Sequence, residues 1–130
     1  MSSITFVETP LAPRAVGPYS QATVYRNILT ISGQIGLMPQ GGELPEDFTQ
    51  EVKNALYNIK SIAEAAGSRL DRIFKVTVYL SDMSGFNAMN EIYRRFFPDN
   101  FPARECIAVS ELPKGARIEI SAQGFVREDM

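Results

Sequence analysis

The residues best suited to chemistry are an arginine and a glutamate in the C-terminal part of the chain, Arg104 and Glu119. The planar guanidinium of an arginine can hold a carboxylate through two parallel hydrogen bonds, and a glutamate can hydrogen-bond water or move a proton. If the strands that carry them paired in antiparallel fashion, Arg104 would come back towards Glu119 and both would face one pocket. The alternative is an ordinary surface ion pair on adjacent strands.

Two predicted strands position these residues. They span residues 103–109 and 117–125, and Pro113, Lys114 and Gly115 between them favour a turn. Apolar and polar residues alternate in the second strand, so Glu119 is predicted to lie on its polar face.

The absence of histidine narrows the possible chemistry. It excludes Ser–His triads, His–Cys pairs and zinc or iron held by histidines. The single cysteine, Cys106, excludes an intrachain disulfide and a metal site built from several cysteines. Any catalysis is left to arginine, lysine, carboxylates, tyrosine, hydroxyls, Cys106, backbone groups or water.

Length and charge bound the class of protein. A chain of 130 residues is long enough to bury a core, and we expect one domain over residues 1–130. The net charge of −2 argues against a protein that binds nucleic-acid phosphates. No apolar run approaches the ~18 residues of a membrane span, and the N-terminal residues lack a targeting pattern. We therefore expect a cytoplasmic protein that does not bind membranes.

The hydrophobic patterns predict an α+β protein with a single mixed β-sheet and two helices packed on one face. We expect residues 32–34 to leave a hairpin strand and residues 35–45 to form a loop. In the strand at 73–80, Phe74 is expected on the same side as Val76. The remaining predicted elements are strands at 4–7, 23–25 and 28–32, a turn at Arg26 and Asn27, a helix from Asp47 to Gly67, and a helix from Asp82 or Ser84 to Pro98.

Two helices can cover only one face of such a sheet. The other face would carry Thr77, Tyr79, Glu119 and Ser121, which is too polar for an ordinary core. A partner subunit that covers this face is the simplest solution, with binding sites at the subunit boundaries. The alternative is a monomer with a solvated sheet face.

Six blocks, in their order, resemble one known family. They are GPYSQA (17–22), SGQI (32–35), EAAG (64–67), KVTVYLSDMSGFNAMNEIY (75–93), FPAR (101–104) and LPKGARIEI (112–120). Together they resemble the reactive intermediate deaminase family (RidA/YjgF type), whose members hydrolyse enamines and imines.

The resemblance implies a chorismate-mutase-like fold and a homotrimer, with a central barrel of sheets and three clefts between subunits. It implies that 2-aminoacrylate and 2-aminocrotonate, or the imines 2-iminopropanoate and 2-iminobutanoate, are hydrolysed to 2-oxo acids and ammonium. Pyridoxal-phosphate dehydratases release these intermediates. No metal or organic cofactor is implied, because the substrate already reacts with water.

The resemblance also implies roles for three catalytic residues. Arg104 would bind the substrate carboxylate, Glu119 would handle the attacking water, and Tyr19 would close the pocket from a neighbouring subunit. The alternatives are a solvated carboxylate for Glu119 and an aromatic plug at the interface for Tyr19.

Further residues are implied for substrate binding beside Arg104, namely Ser32, Gly33, Asn90 and Cys106. Cys106 lacks a histidine base, so we expect its backbone to contact substrate and its thiol to be passive. Gly33 is expected to let the backbone approach the ligand, and Asn90 to donate or accept a hydrogen bond in the helix or the pocket.

Two residues depart from the family pattern. Gly36 stands where many relatives carry proline, and Glu105 replaces a common small residue after the arginine. We expect Gly36 to loosen the loop at 35–45. Glu105 would add charge beside the site if it pointed inward.

Two other functions are compatible with such a fold. The first is a ribonuclease or translation inhibitor, which the net negative charge, the missing histidines and the lack of a basic and aromatic stripe argue against. The second is a trimer that binds small ligands, or acts as a chaperone, without catalysis.

Overall fold

The structure, a computed structural model, describes residues 3–128. Within these residues, six strands form one mixed sheet in the order β1-β2-β3-β6-β4-β5. The strands are β1 (Thr5–Val7), β2 (Ala22–Tyr25), β3 (Ile28–Ile35), β4 (Ile73–Leu80), β5 (Ala103–Ala108) and β6 (Ile118–Phe125), and the helices are α1 (Phe48–Ala65) and α2 (Phe86–Phe96).

The pairing of β5 corrects the expected antiparallel arrangement. β5 runs parallel to β4 and lies at the sheet edge, whereas β6 pairs in antiparallel fashion with β3 and β4. Because α2 carries the chain back across the sheet between β4 and β5, those two strands must run in the same direction. The apolar strand β6 takes the central position, so β4 separates the strand of Arg104 from that of Glu119.

Both helices pack on one face of the sheet, as predicted. Helix α1 contacts β3, β6 and α2. Asp47 is the N-cap, since its side chain accepts a hydrogen bond from the Thr49 backbone N–H. Gly67 follows the helix with a φ of +86°, the left-handed conformation that favours glycine. The largest fully buried side chains of this core include Leu29, Ile31, Leu56, Ile59, Ile62, Leu80, Met89, Ile118 and Ile120.

The second helix begins later than predicted. Asp82 accepts a hydrogen bond from the Ser84 N–H, which lowers the pKa of Asp82. It caps a short 3-10 turn at Met83–Gly85, and α2 starts at Phe86. The predicted hairpin turn is confirmed, because Arg26 and Asn27 both have positive φ between β2 and β3.

A bulge lies near the start of β4. The register against β6 shifts between Ile73 and Lys75, which bends the strand there. Ile73 is therefore buried, whereas Phe74 is 44% exposed. Phe74, which was expected on the same side as Val76, is thus much less buried than Val76.

A second bulge lies at the end of the β2–β3 hairpin. Residues 32–34 were expected to leave the strand, but β3 continues to Ile35 and its register against β6 shifts between Ile31 and Gln34. Ser32 and Gly33 occupy this bulge, next to Glu119 on β6.

The face of the sheet away from the helices is only partly covered by the chain. Thr77, Tyr79, Glu119 and Ser121 all lie on it and remain part-exposed, as predicted. Neither of the helices in residues 3–128 is long and apolar enough to cross a lipid bilayer.

Candidate active site

Six of the seven predicted site residues line two separate clefts, and the seventh, Cys106, lines neither. The larger cleft, of about 730 Å³, is lined by Tyr19, Ser32, Gly33 and Glu119. The smaller cleft, of about 390 Å³, is lined by Asn90 and Arg104 together with Tyr93. A single chain therefore brings the predicted residues together in two groups rather than in one.

Glu119 projects from the centre of the sheet over Gly33. A methyl group added at Gly33 would lie 1.9 Å from Glu119 Oε2, so a larger residue would force this carboxylate out of its present position. The close contact that Gly33 makes is therefore with the Glu119 side chain of the same chain. Burial raises the pKa of Glu119 above the usual value for a glutamate.

The bulge beside Glu119 is fixed by hydrogen bonds to the preceding loop. Ser32 Oγ donates to the Ser20 carbonyl at 2.6 Å, and the Ser32 N–H donates to the Gln21 carbonyl at 2.9 Å. The Gln34 side chain donates to the Ser32 carbonyl at 3.1 Å. The hydroxyl proton of Ser32 is therefore already used within the chain.

The loop that carries Tyr19 is held by one buried glutamine. Gln21 Oε1 accepts from the Thr9 N–H at 2.7 Å, and its Nε2 donates to the carbonyls of Thr9 and Pro13. Tyr19 is 51% exposed at the mouth of the larger cleft. It is free to contact a ligand or a neighbouring molecule.

Arg104 lies on the helix side of β5 and rests on α2. Its guanidinium carbon is 4.6 Å from the centre of the Tyr93 ring and 5.7 Å from that of Phe86. Its Nη1 lies 3.7 Å from Met89 Sδ. Within residues 3–128, no carboxylate forms an ion pair with Arg104.

The neighbours of Arg104 along β5 point in alternating directions. Cys106 lies on the same face as Arg104, and burial raises the pKa of its thiol, with a smaller opposing effect of the Arg104 charge. Glu105 lies on the opposite face, where it pairs with Lys75 at 2.7 Å, and the hydrogen bond from Lys75 lowers the pKa of Glu105. Glu105 therefore does not point towards Arg104.

Gly36 is fixed by its contacts with α1, which corrects the expected loosening. It is buried, and a methyl group there would lie 2.3 Å from the Glu51 carbonyl oxygen. Its own carbonyl accepts a hydrogen bond from Asn54 at 3.0 Å. The glycine allows close packing of the loop on the helix.

An ion pair between a buried glutamate, Glu51, and a partly exposed arginine, Arg117, connects this packing to the strand of Glu119. The Glu51 side chain is fully buried and accepts hydrogen bonds from the Arg117 backbone N–H and Nε, both at 2.7 Å. Arg117 Nη2 donates to the Pro45 carbonyl at 2.9 Å. This pair fixes the start of β6 relative to α1 and the end of the loop.

The two clefts are also lined by residues that were not predicted, among them Arg14, Lys114 and Tyr93. Arg14 and Lys114 line the larger cleft, and Tyr93 lines the smaller one. Tyr93 follows Asn90 by three residues, so the two share a face of α2. That spacing was visible in the sequence, but nothing in the sequence showed that this face meets Arg104.

Across residues 3–128, no group of three or more histidine, cysteine, aspartate or glutamate side chains could hold a metal ion. The side chains that line the two clefts offer a carboxylate, phenols, guanidinium groups, an ammonium group, amides and a hydroxyl.

Comparisons with known proteins define the class of protein. The family model described as Endoribonuclease L-PSP matches residues 9–126. A human protein named 2-iminobutanoate/2-iminopropanoate deaminase is 47% identical over 117 residues, which cover 89% of this chain and 85% of that protein. The chain belongs to the L-PSP family, the RidA/YjgF-type family that its sequence blocks resemble.

Solved structures agree with this assignment. The structure of E. coli TdcF with bound serine has 38% sequence identity and a TM-score of 0.91, covering 95% of this chain and 99% of that one. The E. coli YjgF gene product has 39% identity and a TM-score of 0.91, with the same coverage.

Proposed function

We propose that the protein is an enamine/imine deaminase. It hydrolyses 2-aminoacrylate and 2-iminobutanoate intermediates, released by pyridoxal-phosphate enzymes, to 2-oxo acids and ammonia. The human relative at 47% identity carries the name of this activity. The E. coli relative with bound serine supports a ligand of the size of a small amino acid.

The observation that carries the proposal is the environment of Arg104. An arginine that rests on aromatic rings, without a carboxylate partner in residues 3–128, keeps its hydrogen-bond donors for an anion. The substrate is a small planar carboxylate, which matches the fork of a guanidinium. Asn90 on the same cleft offers an amide to the same ligand.

We place the complete site between two subunits of a homotrimer. Arg104, Asn90 and Cys106 come from one subunit, and Tyr19, Ser32, Gly33 and Glu119 come from its neighbour. The part-exposed polar face of the sheet supports this assembly, because a partner would cover it. The assembly is also supported by the position of Arg104 and Asn90 in one cleft and of Tyr19 and Glu119 in another, because a single chain does not bring them together.

Glu119 handles water in the first chemical step. Its carboxylate accepts a proton from the water as the oxygen attacks the C=N carbon. The new C–O bond forms while the π electrons of the C=N bond move to nitrogen, which takes up the proton that Glu119 received from the water. The product is a carbinolamine that remains bound through its carboxylate to Arg104.

The second step releases ammonia. Glu119 accepts the hydroxyl proton of the carbinolamine and passes it to the nitrogen, the C=O bond forms, and the C–N bond breaks with its electron pair going to nitrogen, so that ammonia leaves and Glu119 is ionised again. Ammonia takes up a proton in water, and the 2-oxo acid departs. Tyr19 closes the cleft, and the raised pKa of Cys106 suits a thiol that takes no part as a nucleophile.

The single free cysteine is consistent with the cytoplasmic location that we propose. The ribonuclease alternative is not favoured, because relatives at 43–47% identity carry the deaminase name.

A coupled assay tests the proposed function. Threonine dehydratase generates 2-aminocrotonate from threonine, and the formation of 2-oxobutanoate is followed with and without the protein. The wild type should accelerate this step over spontaneous hydrolysis. Arg104→Ala should lose about 10²–10⁴-fold in kcat/KM, since two hydrogen bonds to a charged group are removed.

Arg95→Ala is the matched control, because Arg95 is an exposed arginine of α2 that lines neither cleft. It should keep wild-type activity. Equal rates for wild type and Arg104→Ala would refute the proposed function.

A further inference from the structure

The guanidinium of Arg104 packs against aromatic side chains of α2. The Tyr93 ring is the nearest, with its centre 4.6 Å from the guanidinium carbon, and Phe86 is farther at 5.7 Å. A cation at this distance over an aromatic face is attracted by the ring quadrupole. The position of the Arg104 guanidinium is therefore defined by aromatic contacts, although no carboxylate in the described residues pairs with it.

The Tyr93 ring is itself held in place. It is only 4% exposed, and its centre lies 4.8 Å from that of the Phe97 ring. A buried ring that packs against another aromatic ring has little rotational freedom. It can therefore fix the guanidinium that rests on it.

The Tyr93 hydroxyl contributes no hydrogen bond that would explain its burial. It is buried and has no hydrogen-bond partner within residues 3–128. Burial raises the pKa of Tyr93 to about 12, and the nearby Arg104 charge lowers it only in part. The ring thus stays neutral at ordinary pH and does not compete with an anion for Arg104.

We propose that Tyr93 is the positioning residue for Arg104, whose guanidinium its neutral ring holds in the orientation that receives a carboxylate. Because the bound carboxylate belongs to the substrate, this role rests on the proposed function. An acidic residue in the same place would also orient Arg104, but it would occupy the donors and neutralise the charge that the substrate needs. An aromatic ring orients the guanidinium and leaves its hydrogen-bond donors and its charge available to the substrate.

Matched substitutions separate the ring from the hydroxyl and from simple packing. Tyr93→Phe keeps the ring, and Tyr93→Leu removes the ring while retaining an apolar side chain. We expect Tyr93→Phe to keep wild-type KM and kcat. Tyr93→Leu should raise KM and weaken binding of the product anion 2-oxobutanoate by roughly 3- to 30-fold, with a smaller change in kcat.

A spectroscopic readout does not depend on turnover. The NMR signals of the Arg104 side chain, assigned by their loss in Arg104→Lys, should carry the ring-current shift of a nearby aromatic face. This shift should persist in Tyr93→Phe and decrease strongly in Tyr93→Leu, where only the more distant Phe86 ring remains near the guanidinium. If Tyr93→Leu does not fold, Tyr93→Met replaces it, since a flexible methionine fills irregular core space.

The outcomes are distinct. Unchanged Arg104 signals and unchanged anion binding in Tyr93→Leu would overturn the proposal, as would a Tyr93→Phe variant as impaired as Tyr93→Leu. If the wild type shows the ring-current shift but no deamination, the contact of Arg104 with Tyr93 is supported and the proposed function is refuted.

Discussion

Arg104 and Glu119 lie on opposite faces of the same sheet. Arg104 pairs with Val76 on β4 and faces the helices, whereas Glu119 pairs with Tyr79 on β4 and faces away from them. Paired residues share a face and successive residues alternate, so the two side chains of one chain cannot meet over one small molecule. A site that uses both must take them from different copies of the chain.

Substitution of Glu119 by glutamine tests the role of the carboxylate. Glu119→Gln keeps the size of the side chain but cannot accept a proton from water, so kcat should fall by about 10²–10⁴-fold. The KM should change little, because Arg104 still binds the carboxylate. Steady-state kinetics in the coupled assay measure both.

The pH dependence of the wild type should report the burial of Glu119. Water activation needs the ionised carboxylate, and burial raises its pKa above the ordinary value of 4.5. Activity should therefore fall on acidification with a midpoint above 4.5. Glu119→Gln is the control for pH effects on the substrate itself. If the activity of that variant fell in the same way on acidification, the titrating group would be another residue.

The same burial should make the ionised Glu119 carboxylate destabilising at neutral pH. A carboxyl with a raised pKa binds more protons in the folded than in the unfolded state, so its contribution to stability decreases as pH rises through that interval. Glu119→Gln should thus have a higher free energy of unfolding than wild type at pH 7, and the difference should shrink in acid. Urea denaturation at the two pH values measures this, and a less stable variant at pH 7 would contradict it.

The contact of Gly33 with Glu119 gives a steric prediction. Gly33→Ala would place a methyl group 1.9 Å from Glu119 Oε2, so the carboxylate must move. We expect a loss of about 1–3 kcal/mol in the free energy of unfolding, together with a large loss of kcat. Thermal denaturation and the coupled assay measure the two effects.

Gly42→Ala is the control for stability loss alone. Gly42 has a φ of +90° and no heavy atom within 4 Å of an added methyl group. The alanine should cost about 1–2 kcal/mol through backbone strain but leave kcat unchanged. Equal losses of kcat in the two variants would show that Gly33 acts only through stability.

Local sequence signals predicted much of the fold. Asp47 and Gly67 mark the ends of α1, and Arg26 and Asn27 form the hairpin turn, because each of these features depends on a few neighbouring residues. Alternation placed Glu119 on the polar face of β6 for the same reason.

The errors arose where the structure depends on residues far apart in the chain. The bulges beside Gly33 and Phe74 reflect the register of their strands against β6, which no local pattern encodes. The parallel pairing of β5 depends on the path of α2, so the meeting of Arg104 with Tyr93 could not be read from their spacing.

The central claim is that each site takes Arg104 from one subunit and Glu119 from another. Mixed oligomers formed by co-expressing Arg104→Ala and Glu119→Gln chains test it directly, because some boundaries then unite an intact arginine with an intact glutamate. Random mixing at equal amounts should restore about one quarter of the wild-type rate, although each parent alone is nearly inactive. Activity no greater than the mean of the two parents would contradict the account.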